Sequence, residues 1–220
     1  MKLNVIYEDN HIIVVEKPAG IPTQADISGD MDMYTLVGNY IREKYNKPGN
    51  VFVGIVHRLD RPVGGIMVFA RTSKGASRLS EEIRNRNFKK TYLAVVNGKP
   101  KENKGTLRNY LLKDEKKNRS FVVDEKTSGA KLAILDYEVL SYNQKDNTSV
   151  VKVDLHTGRH HQIRLQFASI GCPLIGDSKY GKGKGNSDVK LWAYRLEFKH
   201  PTRDEVMMFE LKPQWLEEYN

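Results

Sequence analysis

The chain has a single cysteine, Cys172, in 220 residues, so no intrachain disulfide can form and a reducing, cytoplasmic compartment is the natural setting. Gly171 and Pro173 flank it and nothing nearby activates the thiol, which fits a small packed residue better than a nucleophile. The opening nine residues, Met1 to Asp9, contain neither a signal-peptide core nor a cleavage site, which weakens the case for a membrane partner. There is no Gly-x-x-x-x-Gly-Lys-Ser/Thr loop and no Rossmann glycine pattern after the first strand, so no nucleotide cofactor is called for. No linker, repeat or low-complexity tract divides the sequence. Its length fits one domain over 1–220, or at most two small lobes sharing a sheet.

What is present is charge of mainly one sign. Lysine and arginine number 36 against 27 acidic residues, a formal +9, which favours a polyanionic partner, and nucleic acid over a membrane surface. With 39% hydrophobic residues and both signs spread along the chain, the composition is globular.

Periodicity predicts two strands over residues 4–15 around Asp9-Asn10, and a helix over 34–45 with Leu36, Val37, Tyr40 and Ile41 on one stripe. Val51–Val56 and Ile66–Ala70 read as buried strands. Thr72 or Ser73 caps a helix carrying Ala76, Leu79 and Ile83. Residues 89–155 are strand-rich, 161–170 fit a short helix ended by Gly171-Cys172-Pro173, strands follow near 191–198 and 206–209, and Pro213 opens a terminal helix. Strand runs with inserted helices give an α+β class with a mixed, largely antiparallel sheet.

The stretch with most chemistry is His57-Arg58-Leu59-Asp60-Arg61-Pro62-Val63-Gly64-Gly65, a carboxylate between two guanidinium groups in a glycine-rich bend. Read alone, it fits a structural ion pair in a hairpin as well as it fits a catalytic group. His156-x-x-x-His160-His161 spaces two imidazoles at i,i+4, but Gly158 interrupts one helix and no glutamate accompanies them, which argues against a metal site. Lys113–Arg119, with Lys116 and Lys117, and Gly176–Ser187, with Lys179, Lys182 and Lys184, read as exposed loops.

His57-Arg58-Leu59-Asp60 resembles the signature of the RluA-like, large-subunit-type pseudouridine synthases, RNA-modifying enzymes, whose pattern continues with Thr-Ser-Gly two residues later. Further matches follow in order: Lys17-Pro18-Ala19-Gly20; the Lys90–Gly98 strand with Tyr92; Thr157-Gly158-Arg159-His160-His161-Gln162-Ile163-Arg164; Gly171–Asp177 with Tyr180-Gly181; and a closing pattern through Leu191, Ala193, Leu196, Phe198, His200 and Pro201. They cover residues 10 to 210. One departure is Val63-Gly64-Gly65 in place of Thr-Ser-Gly, which removes two hydroxyls behind Asp60.

The resemblance implies a pseudouridine synthase fold with its active-site cleft across the sheet, an isomerase needing no cofactor and no metal, and ribosomal or transfer RNA as partner. It implies no guide RNA, no membrane and a monomer, and the early strands leave no room for an N-terminal S4-type domain. It assigns Asp60 as catalytic group, as nucleophile or as base on the sugar, with both routes open. Tyr92 stacks under the uracil, with removal of the C5 proton left open as a second role, Arg164 pairs with the Asp60 carboxylate, and Arg58 is left for RNA. His57, Arg61, Lys116, Lys117, Arg119, Arg159, His160, Lys179 and Lys182 are the further candidate RNA contacts. The rival is a catalytically idle RNA-binding or ribosome-assembly module on the same fold.

Overall fold

The computed structural model describes residues 2–181 and 189–219. The chain divides into two compact units, one of residues 1–89 with 193–211 and one of 90–192 with 212–220. Both combine strands with short helices, so the class is α+β as the periodicity predicts.

In the first unit β1 (Val5–Glu8) pairs antiparallel with β2 (Ile12–Lys17), and β2 with β4 (Gly64–Ala70), Ile12 facing Ala70 and Lys17 facing Gly65. Asp9 closes the first turn by accepting the amide hydrogens of His11 and Ile12 at 2.7 and 2.9 Å. Every residue of β4 is buried, the continuous apolar pattern of a strand covered on both faces. The 51–56 run is a strand only at β3 (Gly54–Ile55), which pairs with the far end of β4. Phe52 is 49% exposed, so an apolar run here did not guarantee a ladder partner.

Helix α1 (Met33–Lys44) begins one residue before the expected Tyr34, because Asp32 caps it by accepting Thr35 N–H at 2.9 Å. Thr72 caps α2 (Ser73–Arg84) in the same way. Strand β10 (Leu191–Lys199) lies beside β4 and pairs with β11 (Val206–Glu210). Ile12, Val14, Ile66, Val68, Leu79, Phe88, Leu196 and Phe198 form the core of this unit.

The second unit is an antiparallel array in the order β5 (Lys89–Asn97), β9 (Thr148–Leu155), β8 (Lys131–Asn143), β6 (Lys104–Asp114), β7 (Arg119–Val123). A register shift at Leu140 bulges β8, leaving that leucine 49% exposed. Helix α3 (Gln162–Ser169) contacts β6 and β7, and Leu165 joins Leu111 and Ala133 in a small core. The residues after Pro213 form a 3-10 helix, Gln214–Tyr219. Along β9 Val151 and Val153 are buried and Asp154 is exposed, and Thr148 to Val150 are buried as well.

Candidate active site

Asp60 sits in the bend between β3 and β4, and its carbonyl accepts Val63 N–H at 3.0 Å. The bend is gripped from behind by residues far away in sequence. Lys17, fully buried at the end of β2, donates from Nζ to the carbonyls of Pro18 (3.0 Å), Arg61 (3.1 Å) and Val63 (2.6 Å). Thr23 Oγ1 bridges both backbone groups of Leu59, accepting its N–H at 3.2 Å and donating to its carbonyl at 3.0 Å, while Gly20 N–H donates to Arg61 O at 2.8 Å. Gly65 closes the bend at φ +125°, and a β-carbon there would fall 2.4 Å from the carbonyl oxygen of Ala193, so only glycine fits. The hydroxyls replaced by Val63-Gly64 are therefore not needed to order this loop; Lys17 and Thr23 hold it. Neither is a residue that the sequence reading selected as functional. The available signal for Lys17 was a cation ending the apolar run Ile12 to Val15.

Burial pushes the Lys17 ammonium down to about 7, against the opposing pull of the Asp60 carboxylate. Unfolded, the same lysine titrates near 10.5. Between these values the unfolded chain binds more protons than the folded one, so stability rises with pH across about pH 7 to 10. Lys17→Met removes this rise and takes the Nζ donor from the Pro18 and Val63 carbonyls, while Arg61 O keeps the Gly20 amide, a loss of about 1–3 kcal/mol. Urea midpoints of both proteins at pH 7 and 9 check it: the parent's lead should widen with pH, and equal midpoints would refute the clamp.

The two arginines beside Asp60 have different surroundings. Arg61 turns away into the 20–30 loop, donating to Gly20 O (3.0 Å), Ser28 Oγ (3.0 Å) and Asp30, with Asp26 at 3.5 Å. Its side chain is thus committed to protein acceptors. Arg58 is exposed and, among the described residues, has no hydrogen bond or ion pair. His57 Nε2 accepts Val68 N–H at 3.1 Å and its ring packs on Phe88, so that nitrogen is spent on holding β4.

Tyr92 lies on β5 opposite Val153 and is buried. Leu93 and Val95 are buried too, so the strand is covered on both faces and not only on the Tyr92-Ala94-Val96 face. Arg164, in α3, forks Asp177 with Nε at 2.7 Å and Nη2 at 2.8 Å, a buried bidentate pair. Burial pushes the Asp177 carboxyl up, but Arg164 and the amides of Tyr180 and Lys179 outweigh it and hold it below the usual carboxylate range. No local pattern in the sequence marks Asp177 as a partner of Arg164.

The rest of the Thr157–Arg164 block is architectural. Gln162 accepts from Thr157 Oγ1 (2.8 Å) and Arg159 N–H (3.0 Å) and donates to Ile134 O (3.1 Å), and Arg159 Nε donates to Leu132 O at 2.9 Å. His161 takes a left-handed backbone at φ 54°. Burial first, then the Arg164 charge, keep its imidazole neutral by pushing its pKa far down. The His160 ring lies against Ser120 Oγ (2.9 Å) and Asn118 Oδ1 (3.0 Å). His156, its i,i+4 neighbour, instead meets Asp136 at 2.6 Å. Lys116 and Lys117 are exposed on the β6–β7 turn, and Lys179 Nζ donates to Asn118 O at 2.7 Å. Lys182, like Lys184, lies outside the described residues.

The bend between β3 and β4 carries the His57-Arg58-Leu59-Asp60 sequence on which the resemblance to the pseudouridine synthases rests. The family model for RNA pseudouridylate synthase matches residues 11–169, and the chain belongs to that family: it is an RNA pseudouridine synthase, an isomerase. It is 35% identical over 212 residues to the uncharacterized RNA pseudouridine synthase YhcT of Bacillus subtilis (strain 168), covering 95% of this chain and 68% of that protein. Against the dual-specificity RNA pseudouridine synthase RluA of Pasteurella multocida (strain Pm70) it is 31% identical over 216 residues, covering 96% and 93%. In fold it is similar to human RNA pseudouridylate synthase domain containing 4, with a TM-score of 0.80 at 21% identity over 96% of this chain and 89% of that one. No described helix is long and apolar enough to cross a membrane.

Proposed function

We propose that this chain converts uridine to pseudouridine in ribosomal or transfer RNA, with Asp60 as the catalytic group and no cofactor. The observation that carries the reading is the His57–Asp60 signature inside the matched family region, on a bend locked by Lys17 and Thr23. The reaction breaks the bond between ribose C1′ and uracil N1, turns the base and joins C5 to C1′; a base takes the C5 proton and N1 of the product takes one up, so the product is an isomer of the substrate. Atoms balance without an oxidant or co-substrate. An anionic oxygen at the sugar, a flat surface under the freed base and exclusion of water are what the protein must supply.

Asp60 supplies the oxygen, acting on C1′ or as a base on the sugar. Tyr92 supplies the flat surface, since stacking needs no change of its ordinary phenol chemistry. Arg164 is the buried cation of the reaction, its orientation set by the fork on Asp177. RNA as substrate follows the relatives' names, which include ribosomal large subunit pseudouridine synthases C of Rickettsia, and agrees with the +9 charge. The chain acts as a monomer without a guide RNA, in a reducing cytoplasm that suits its free Cys172. Arg159, Lys116, Lys117, Arg119 and Lys179 add to the positive field that holds the strand.

Release of tritium from RNA carrying 5-tritiated uridine tests the reading: the purified protein should release it from total ribosomal or transfer RNA. An idle RNA-binding module would bind and release none. A target uridine must leave its stack, at a cost of a few kcal/mol, and the free guanidinium of Arg58, two residues from Asp60, is the group to clamp its flank. Arg58→Ala should raise KM about tenfold while changing the single-turnover rate at saturating enzyme less than about threefold. An equal loss in that rate would contradict the assignment.

A further inference from the structure

The hairpin of β6 and β7 has two unlike sides. On one, Ser120 is buried; its hydroxyl meets His160 Nδ1 at 2.9 Å and donates to His160 O at 3.0 Å, while its amide donates to Tyr180 Oη at 2.8 Å. Asn118, at the turn, adds its contacts to His160 and Lys179. The hairpin end is therefore anchored to the start of α3 and to the 177–180 segment. Strand alternation turns Arg119 and Phe121 to the opposite side from Ser120.

Phe121 is 38% exposed there. Cations frame its ring: Lys117 Nζ is 5.9 Å and Arg119 Cζ 5.8 Å from the centroid. Arg119 also lies 5.1 Å from the Tyr180 ring, which His161 Nδ1 holds at the hydroxyl at 2.9 Å. Among the described residues Arg119 has no hydrogen bond or ion pair, and its buried Nε has no acceptor. Its cross-strand neighbour Asp114 is turned to the Lys117 amide at 3.0 Å. A guanidinium packed on two rings with no anion of its own is arranged for one brought by a ligand. Lys116, likewise without a carboxylate partner among the described residues, extends the positive field.

We propose that this outer face is a platform for single-stranded RNA, on which Phe121 stacks an unpaired nucleobase and Arg119 holds the adjoining phosphate. The inference rests on the RNA-substrate reading above and adds the strandedness of the RNA and the residue that senses it. A base within a duplex has no free face, whereas an unpaired base stacks on an aromatic side chain whatever its identity. Anchoring through Ser120 and Asn118 means little of the hairpin need be ordered on binding.

The test measures anisotropy of labelled RNA at fixed salt with two probes, a single-stranded oligouridine and a fully paired duplex of equal length. Phe121→Ala should weaken single-strand binding about tenfold and duplex binding less than about twofold, with unchanged thermal stability because the side chain is exposed. Phe121→Tyr should keep parental affinity, and Arg119→Gln should reduce the salt slope by about one. Parental single-strand affinity in Phe121→Ala, including the case where this face serves a protein partner instead, would overturn the proposal; so would equal losses on both probes. These readouts need no turnover. An absence of tritium release from the parent protein would sink the enzymatic reading and leave the platform standing, and active enzyme with an unaltered Phe121→Ala affinity would do the reverse.

Discussion

Asp60→Ala protein should release no measurable tritium from 5-tritiated uridine RNA, a loss of about 10,000-fold or more in single-turnover rate, while its affinity for the same RNA should stay within about threefold of the parent's. The size follows from the demand on this one group. Bond breaking at C1′ leaves positive charge on the sugar or a proton on its carbon framework, and no other acidic residue lies in the 57–65 bend to meet it. The bend should keep its backbone course, because Lys17 and Thr23 grip it through backbone carbonyls and an amide. Asp60→Asn should be equally inactive, since it keeps the shape and loses the charge. Tritium release by either variant at the parental rate would remove Asp60 from the chemistry altogether.

Asp177→Asn should cost about 3–5 kcal/mol of stability, the usual price of breaking a buried pair from one side. The Asp177 side chain is fully buried and that of Arg164 is 6% exposed, so water cannot replace the lost charge. For a protein of this size the thermal midpoint falls by about 6–20 °C, read by circular dichroism. The pH dependence has a definite sign. Because the folded carboxyl titrates below its usual value, its contribution is complete above about pH 4 and is lost as the pH falls through the folded value. The parent should therefore lose stability on acidification more steeply than Asp177→Asn does. An unchanged midpoint in the variant would mean that the fork is ornamental.

The legible parts of the sequence were those whose information is local. The run Ile66–Ala70 is apolar throughout and preceded by Gly64-Gly65, and it lies within β4; the Thr72 cap and the Leu36–Ile41 stripe depend on neighbours three or four residues away. Val51–Val56 looked equally strand-like, yet pairing belongs to the partner strand, and only Gly54 and Ile55 find one. Charge misled for the same reason. Arg61 abuts Asp60 in sequence but is drawn off by Asp26 and Asp30, more than thirty residues earlier. Lys17 meets acceptors 44 and 46 residues away, and such contacts leave no periodic trace. The motif singles out Asp60, the proposed catalytic group, whereas Lys17 and Thr23, which hold its bend, carry no such local mark.

The split of the first unit has a consequence for how the protein is made. Residues 1–89 leave the ribosome roughly 100 residues ahead of the 193–211 segment that completes their unit, a gap of about 5–20 s at ordinary elongation rates. During that time Ile12, Val14, Ile66 and Val68 lack Leu196 and Phe198, which complete their core, and Gly65 lacks the Ala193 backbone against which it packs. The 90–192 segment, continuous in sequence and built of neighbouring hairpins, can assemble in the meantime. Asp60 is thus synthesised well before the 193–211 segment that completes its unit, so a nascent chain arrested before residue 193 would carry the motif in an unfinished core.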